Sequence, residues 1–134
     1  MRVSPRWSIE FDLAVRTRSL TNTRGHWGKK AQDAKRQRWM VAMAWRAHGG
    51  RPLGEDETAV VTFTRRSAQL LDSDNIHTAF KALRDGIAAC FGVDDRDPRV
   101  KWDPEPKQEL CRRGAFSVRI GVQVFGHQAG EVHA

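Results

Sequence analysis

The chain has 134 residues, 40% of them apolar and 29% charged, a composition that argues against intrinsic disorder and is sufficient for one domain with its own core. Lys and Arg number 23 against 16 Asp and Glu, a formal charge of +7, which points toward a phosphate-bearing partner without by itself deciding one. No apolar run approaches the ~18–20 residues of a membrane span, Met1-Arg2-Val3 opens no signal peptide, and Cys90 and Cys111 lack metal-ligand spacing, so a soluble, cytoplasmic protein with reduced thiols is expected.

The positive surplus is confined to one part of the chain. Residues 1–51 hold 12 basic and 3 acidic side chains, net +9, whereas residues 52–134 hold 11 basic and 13 acidic, net −2. In chain order, residues 7–13 alternate apolar and polar at the period of a half-buried strand. A polar, basic loop follows from Arg16 to Gly25. Residues 27–48 have helical composition, and Gly49-Gly50-Arg51-Pro52 stops them. Ala31, Ala34, Val41 and Trp45 fall near one side of that helix and are expected to face the core; Trp27, Trp39 and Trp45 read as core residues rather than base-stacking platforms. Arg16, Arg18, Arg24, Lys29, Lys30, Lys35, Arg36 and Arg38 are candidate phosphate contacts, set against the plainer reading of a solvated helix face and a flexible arm.

Residues 58–64 are β-branched and strand-like, ending at Arg65-Arg66. The clearest helix comes next, because Ile76, Phe80, Leu83, Ile87 and Phe91 form one stripe at helical spacing, with Asp74 expected as N-cap and Gly92 as the terminator. Pro104 and Pro106 exclude a central strand between Val100 and Leu110. Phe116, Val118, Ile120, Val122 and Val124 alternate as a final strand, and a frayed tail is expected from Gly126. The fold class expected is mixed α+β, a small mixed sheet with two main helices covering one face, in a single domain spanning residues 1–134.

Carboxylates gather where a strand feeds that helix. Asp72 and Asp74 are two apart, a spacing that in extended chain turns both to one side, and Asp94-Asp95 follow the helix. Taken singly, Asp74 reads as a helix cap worth about 1 kcal/mol, Asp72 as a turn residue and Asp94-Asp95 as solvated loop. Together, inside a basic protein, they suggest a divalent-cation site, since Mg²⁺ is held by one or two carboxylates plus water and substrate phosphate. Lys81 and Asp85 lie on the helix face opposite the apolar stripe, as a surface pair or as a phosphate-neutralising lysine beside a metal.

Asp72-Ser73-Asp74-Asn75, then Lys81-Ala82-Leu83-Arg84-Asp85-Gly86-Ile87, then Gly92-Val93-Asp94-Asp95, resembles the core of the RusA family of Holliday junction resolvases. A weaker likeness extends to His26-Trp27 with the basic helix, and to Trp102 and Gln108. The resemblance implies a homodimeric, Mg²⁺-dependent endodeoxyribonuclease, with Mn²⁺ as the other candidate metal, nicking branched DNA such as a four-way junction, in a bacterial or phage-encoded protein. It implies Asp72, Asp74 and Asp95 as the catalytic, metal-holding carboxylates and Lys81 as the catalytic lysine. Lys81 stands further from Asn75 than the family's lysine does, and Thr78 occupies the unshifted position. A straight helix from Asn75 to Cys90 would be roughly 24 Å long, so Asp95 either folds back toward Asp74 or completes the site of the other subunit. The alternatives are a non-catalytic DNA-binding protein of the same fold, or a nuclease for flaps, nicks or phage DNA intermediates. No GxGxxG or P-loop pattern is present, and no nucleotide cofactor is expected.

Overall fold

The computed structural model of the chain describes residues 3–17 and 27–126. Within them the elements run β1 (Trp7–Leu13), α1 (Trp27–Ala47), β2 (Glu57–Ser67), α2 (Ser73–Ala79), α3 (Lys81–Phe91), β3 (Val100–Trp102), β4 (Lys107–Leu110) and β5 (Ser117–Gly126). One mixed sheet takes the order β1-β5-β2, with β3 and β4 following one another along the far edge of β2. Long β5 pairs antiparallel with β1 and with β2, while β3 and β4 run parallel to β2. A parallel pair requires a crossover, and α2 with α3 supplies it. Residues 103–106 face only Thr62 and Phe63, so Pro104 and Pro106 sit where β3 gives way to β4 on the sheet edge, where their missing N–H groups break no central ladder.

Strand alternation decides which side chains enter the core. Phe11 and Leu13 of β1, Val118, Ile120, Val122 and Val124 of β5, and Ala59, Val61 and Phe63 of β2 are all buried on one face. The helices cover that face, as expected. The opposite face carries Ser8, Glu10, Asp12, Thr62, Arg66, Arg119 and Gln123, all exposed, with Arg119 Nε 3.0 Å from Asp12 Oδ1. Val41 and Trp45 of α1 reach the same core as Ile76, Phe80, Leu83, Ile87 and Phe91, so the apolar stripe read from the sequence is buried throughout. Trp45 meets Phe91 edge-on at 4.8 Å and Trp7 edge-on at 5.8 Å.

Gly86 lets α1 and α3 approach closely. A Cβ there would stand 3.2 Å from the Arg38 Cα and 3.3 Å from the Val41 Cβ. Gly86→Val therefore wedges the helices apart, and the expected result is a loss of about 1–3 kcal/mol, seen as a melting temperature lower by several degrees. An unchanged melting temperature would show that the two helices do not pack through this position.

Four expectations change at the helices. The single helix is two, broken at Phe80 (φ −94°, ψ 1°), which ends α2 and begins α3. Thr78 donates its hydroxyl back to the Asp74 carbonyl (3.1 Å), a bond that bends helices, and the break follows within two residues. Three helices thus cover the sheet where two were expected. The N-cap is Asp72, not Asp74: its Oδ1 accepts the Asn75 amide at 2.9 Å, leaving Asp74 in the first turn. On α1, Ala31 is exposed rather than core-facing, and Trp39 is 62% exposed, not a core residue. Gly92 ends α3 in the left-handed region (φ 78°), as its place in the sequence suggested.

Candidate functional site

The inward row of β2 does not end at Phe63. Two residues on, the same alternation carries Arg65 inward, where it is 5% exposed. Its Nε donates to Thr17 Oγ1 (2.8 Å), its Nη1 to the Gln69 carbonyl (2.6 Å) and Gln108 Oε1 (3.2 Å), and its Nη2 to the Thr17 carbonyl (3.4 Å). No carboxylate among the described residues pairs with this guanidinium. Burial pulls its pKa below the ordinary value, and Cys111 opposes the shift. Gln108 of β4 then grips the next turn of chain: Oε1 accepts the Leu71 amide (2.9 Å) and Nε2 donates to the Leu71 carbonyl (2.7 Å). The two-sided grip ends the extended segment at Leu71, so Asp72 becomes the cap of α2.

The segment carrying Asp72 and Asp74 is therefore braced from beneath by a buried polar network whose members satisfy one another. Both aspartates are exposed. Their side chains do not share a face by strand alternation, as the sequence suggested, because Asp72 is the cap and Asp74 lies inside the helix. Asp72 uses one oxygen in the cap, while the carboxylate of Asp74 forms no ion pair with a described residue. Lys81 opens α3 with its Nζ 3.8 Å from Asp85 Oδ2, and its side chain is 61% exposed.

The second acidic segment is held differently. Trp102 of β3 donates its indole N–H to the Asp95 carbonyl (2.9 Å), and its ring lies near-parallel to Phe63 at 6.4 Å. Phe63 in turn stacks on Phe80 at 4.8 Å, so one aromatic ladder joins the helix break to the Asp94-Asp95 turn. Asp94 Oδ1 accepts the Arg96 amide (2.8 Å), the main cause that holds the Asp94 carboxyl below the usual range. Arg84 is half-buried; burial lowers its pKa, while Asp85 and Asp95 oppose that. Arg84 of α3 thus lies within electrostatic reach of Asp85 and Asp95.

Asp72 heads the crossover and Asp95 follows its end. Among the described residues no group of three or more His, Cys, Asp or Glu side chains is placed to hold a metal ion. What the chain does offer is a pair of exposed carboxylates on one helix start, the number that Mg²⁺ usually takes from a protein.

Of the candidate phosphate contacts, Lys29, Lys35, Arg36 and Arg38 are exposed on α1 and Lys30 is half-buried. Arg16 lies over the Phe116 ring at 4.9 Å. Arg18, Arg24 and His26, the side chain of Trp27 and the tail beyond Gly126 fall outside the described residues. Sequence reasoning missed Arg65 and Arg84. For Arg65 a signal existed, the unbroken alternation from Ala59 through Phe63; for Arg84 there was none beyond its place beside the apolar stripe. No helix among the described residues is long and apolar enough to cross a membrane.

No protein-family model matches the chain. It is similar to an uncharacterized protein of Xylella fastidiosa (strain Temecula1 / ATCC 700964), 29% identical over 103 residues, which is 74% of this chain. The chain spans 66% of the length of that curated relative.

Proposed function

We propose that this chain is a Mg²⁺-dependent endodeoxyribonuclease acting on branched DNA, of the RusA kind, and that it works as a homodimer. The observation that carries the reading is the braced Asp72 loop. An exposed carboxylate with no ion pair to a described residue, Asp74, stands beside a second one on a segment fixed by Arg65 and Gln108. Rigid support beneath two exposed carboxylates, one of which uses a single oxygen in a helix cap, is what positioning a reaction requires, and a merely solvated loop has no use for it.

In this reading Asp72 and Asp74 hold Mg²⁺, or Mn²⁺ in its place. The ion, when bound, would polarise the phosphodiester and lower the pKa of an attacking water. Lys81 sits at the head of the next helix to meet the charge of a phosphate oxygen. Its present partner, Asp85, is half-buried, but the pair lies at the surface at 3.8 Å and is worth only a few tenths of a kcal/mol, so exchanging Asp85 for DNA costs little. The basic surface of α1 supplies sequence-independent phosphate contacts. In this reading the partner subunit's Asp95 completes the ligand set, because both crossover helices lie between Asp74 and Asp95 along one chain. Leu70 and Leu110, both exposed at the edge carrying the Asp72 loop, offer apolar surface for such a contact. Two-fold symmetry then gives paired nicks on a junction that is itself nearly two-fold symmetric.

A second reading has one observation in its favour. Asp72 is already engaged as a helix cap, which a non-catalytic DNA-binding protein would also show. Incubation of a labelled four-way junction with and without Mg²⁺ separates the two, with flap and linear duplex DNA as comparisons. Paired, metal-dependent nicks on the junction are expected. Tight, salt-sensitive binding with no cleavage under either metal would leave the binding protein, and preferred cutting of flaps would replace the junction as substrate.

A further inference from the structure

Helix α1 carries an aromatic side chain that its packing does not explain. Trp39 is 62% exposed and Met43, one turn on, is 46% exposed. An α-helix places residues three, four and seven apart on one face. Around Trp39 that face holds Lys35 and Arg36 one turn before it, and Arg46 two turns beyond, all exposed. None of the three cations forms an ion pair with a described residue. Burying a tryptophan is among the larger apolar gains open to a protein, and the core takes Trp45 from the same helix while leaving Trp39 outside.

We propose that Trp39 is a stacking platform for an unpaired DNA base, with Met43 as its apolar floor and Lys35, Arg36 and Arg46 gripping the flanking phosphates. A flat aromatic face set among exposed cations is the surface that single-stranded nucleic acid selects, because every base has a π-face and every linkage a negative charge. Charge decides against the other occupant of an exposed apolar stripe, a second copy of this chain. A two-fold contact through this face would set Lys35, Arg36 and Arg46 against their own equivalents with no acid on the stripe to offset them. The inference rests on the reading of the chain as a DNA-binding protein but is independent of its cleavage chemistry. It supplies a way to prefer branch points and gaps over continuous duplex, where no base is free to stack.

The test uses the full chain, a 12-nucleotide oligothymidylate and a closed hairpin duplex of equal length, with Trp39→Ala and Trp39→Phe as variants. Trp39→Ala is expected to weaken oligothymidylate binding roughly tenfold, the usual effect of removing one stacking aromatic, while hairpin binding changes little. Trp39→Phe should keep most of the affinity, and the fluorescence lost between wild type and Trp39→Phe should be quenched on binding. Wild-type affinity of Trp39→Ala for the oligothymidylate, or an equal loss on both DNAs, overturns the proposal. So does a change from dimer to monomer in Trp39→Ala on sedimentation, which would make the face a subunit contact. Nicking of a junction under Mg²⁺ is scored separately: its absence in the wild type removes the nuclease reading and leaves the platform standing, and the converse result removes only the platform.

Discussion

Two inactive variants should restore cleavage when mixed. Asp74→Asn removes the exposed carboxylate in the first turn of α2, and Asp95→Asn removes the one in the turn that follows the crossover. Each change alone is expected to lower Mg²⁺-dependent nicking by on the order of 100- to 1000-fold, the scale of losing several kcal/mol of metal-assisted stabilisation. If the partner subunit's Asp95 completes each site, a mixed dimer holds one intact site and one doubly damaged one. Half of randomly mixed dimers are of this kind, so roughly a quarter of the wild-type rate should return. A site built within one chain gives no recovery on mixing, because both sites of the mixed dimer are then damaged. Asp72 requires its own pair of variants, since it has two roles. Asp72→Ser keeps an N-cap oxygen and removes the carboxylate, so stability should hold while nicking falls. Asp72→Ala should in addition cost about 1 kcal/mol of stability. Nicking by Asp72→Ser at the wild-type rate would confine Asp72 to capping.

What the sequence revealed of the fold followed from periodicity, and what it hid followed from tertiary context. The strict alternation of Val118, Ile120, Val122 and Val124, and the stripe from Ile76 to Phe91, are local patterns, and both are buried where the period places them. Pro104 and Pro106 excluded a central strand and mark the edge of the sheet. The break at Phe80 was not legible, because the apolar stripe runs through it unchanged; it shows only in the backbone and in the hydroxyl of Thr78. The cap moved from Asp74 to Asp72 for a similar reason. Both are good capping residues by type, and the choice is made by Gln108, which lies 37 positions from Leu71 along the chain. Trp39 was misplaced because a tryptophan on a helix is usually core, and only the rotation of α1 against α3 decides which of Trp39 and Trp45 turns inward. The acidic motif was legible as residues. Its division between a segment before α2 and a turn after α3 follows from the helical stretch between them; what was not legible is what holds each segment, Gln108 for the first and Trp102 for the second.

Phe80→Ala should be among the most destabilising single changes in this protein. The side chain is fully buried, its ring stacks on Phe63 with an interplanar angle of 15°, and Phe63 continues the ladder to Trp102. Truncation removes the ring's transfer free energy and leaves a cavity that a closed sheet-and-helix layer cannot collapse around, a loss of about 3–5 kcal/mol. Against a total stability of roughly 5–15 kcal/mol for a domain of this kind, that is a large fraction. The expected readout is a lower urea midpoint with an unchanged slope. Phe80→Leu fills most of the volume and should cost clearly less. The position also joins two halves of the proposed site, because Phe80 closes the helix bearing Asp74 and opens the one bearing Lys81. Nicking by Phe80→Leu, measured well below its melting range, should therefore fall by more than its lost stability accounts for, as Lys81 shifts relative to Asp74. If Phe80→Leu instead cuts at the wild-type rate, the two helices need no fixed relation, and Lys81 does not act on the phosphate that Asp74 helps to hold.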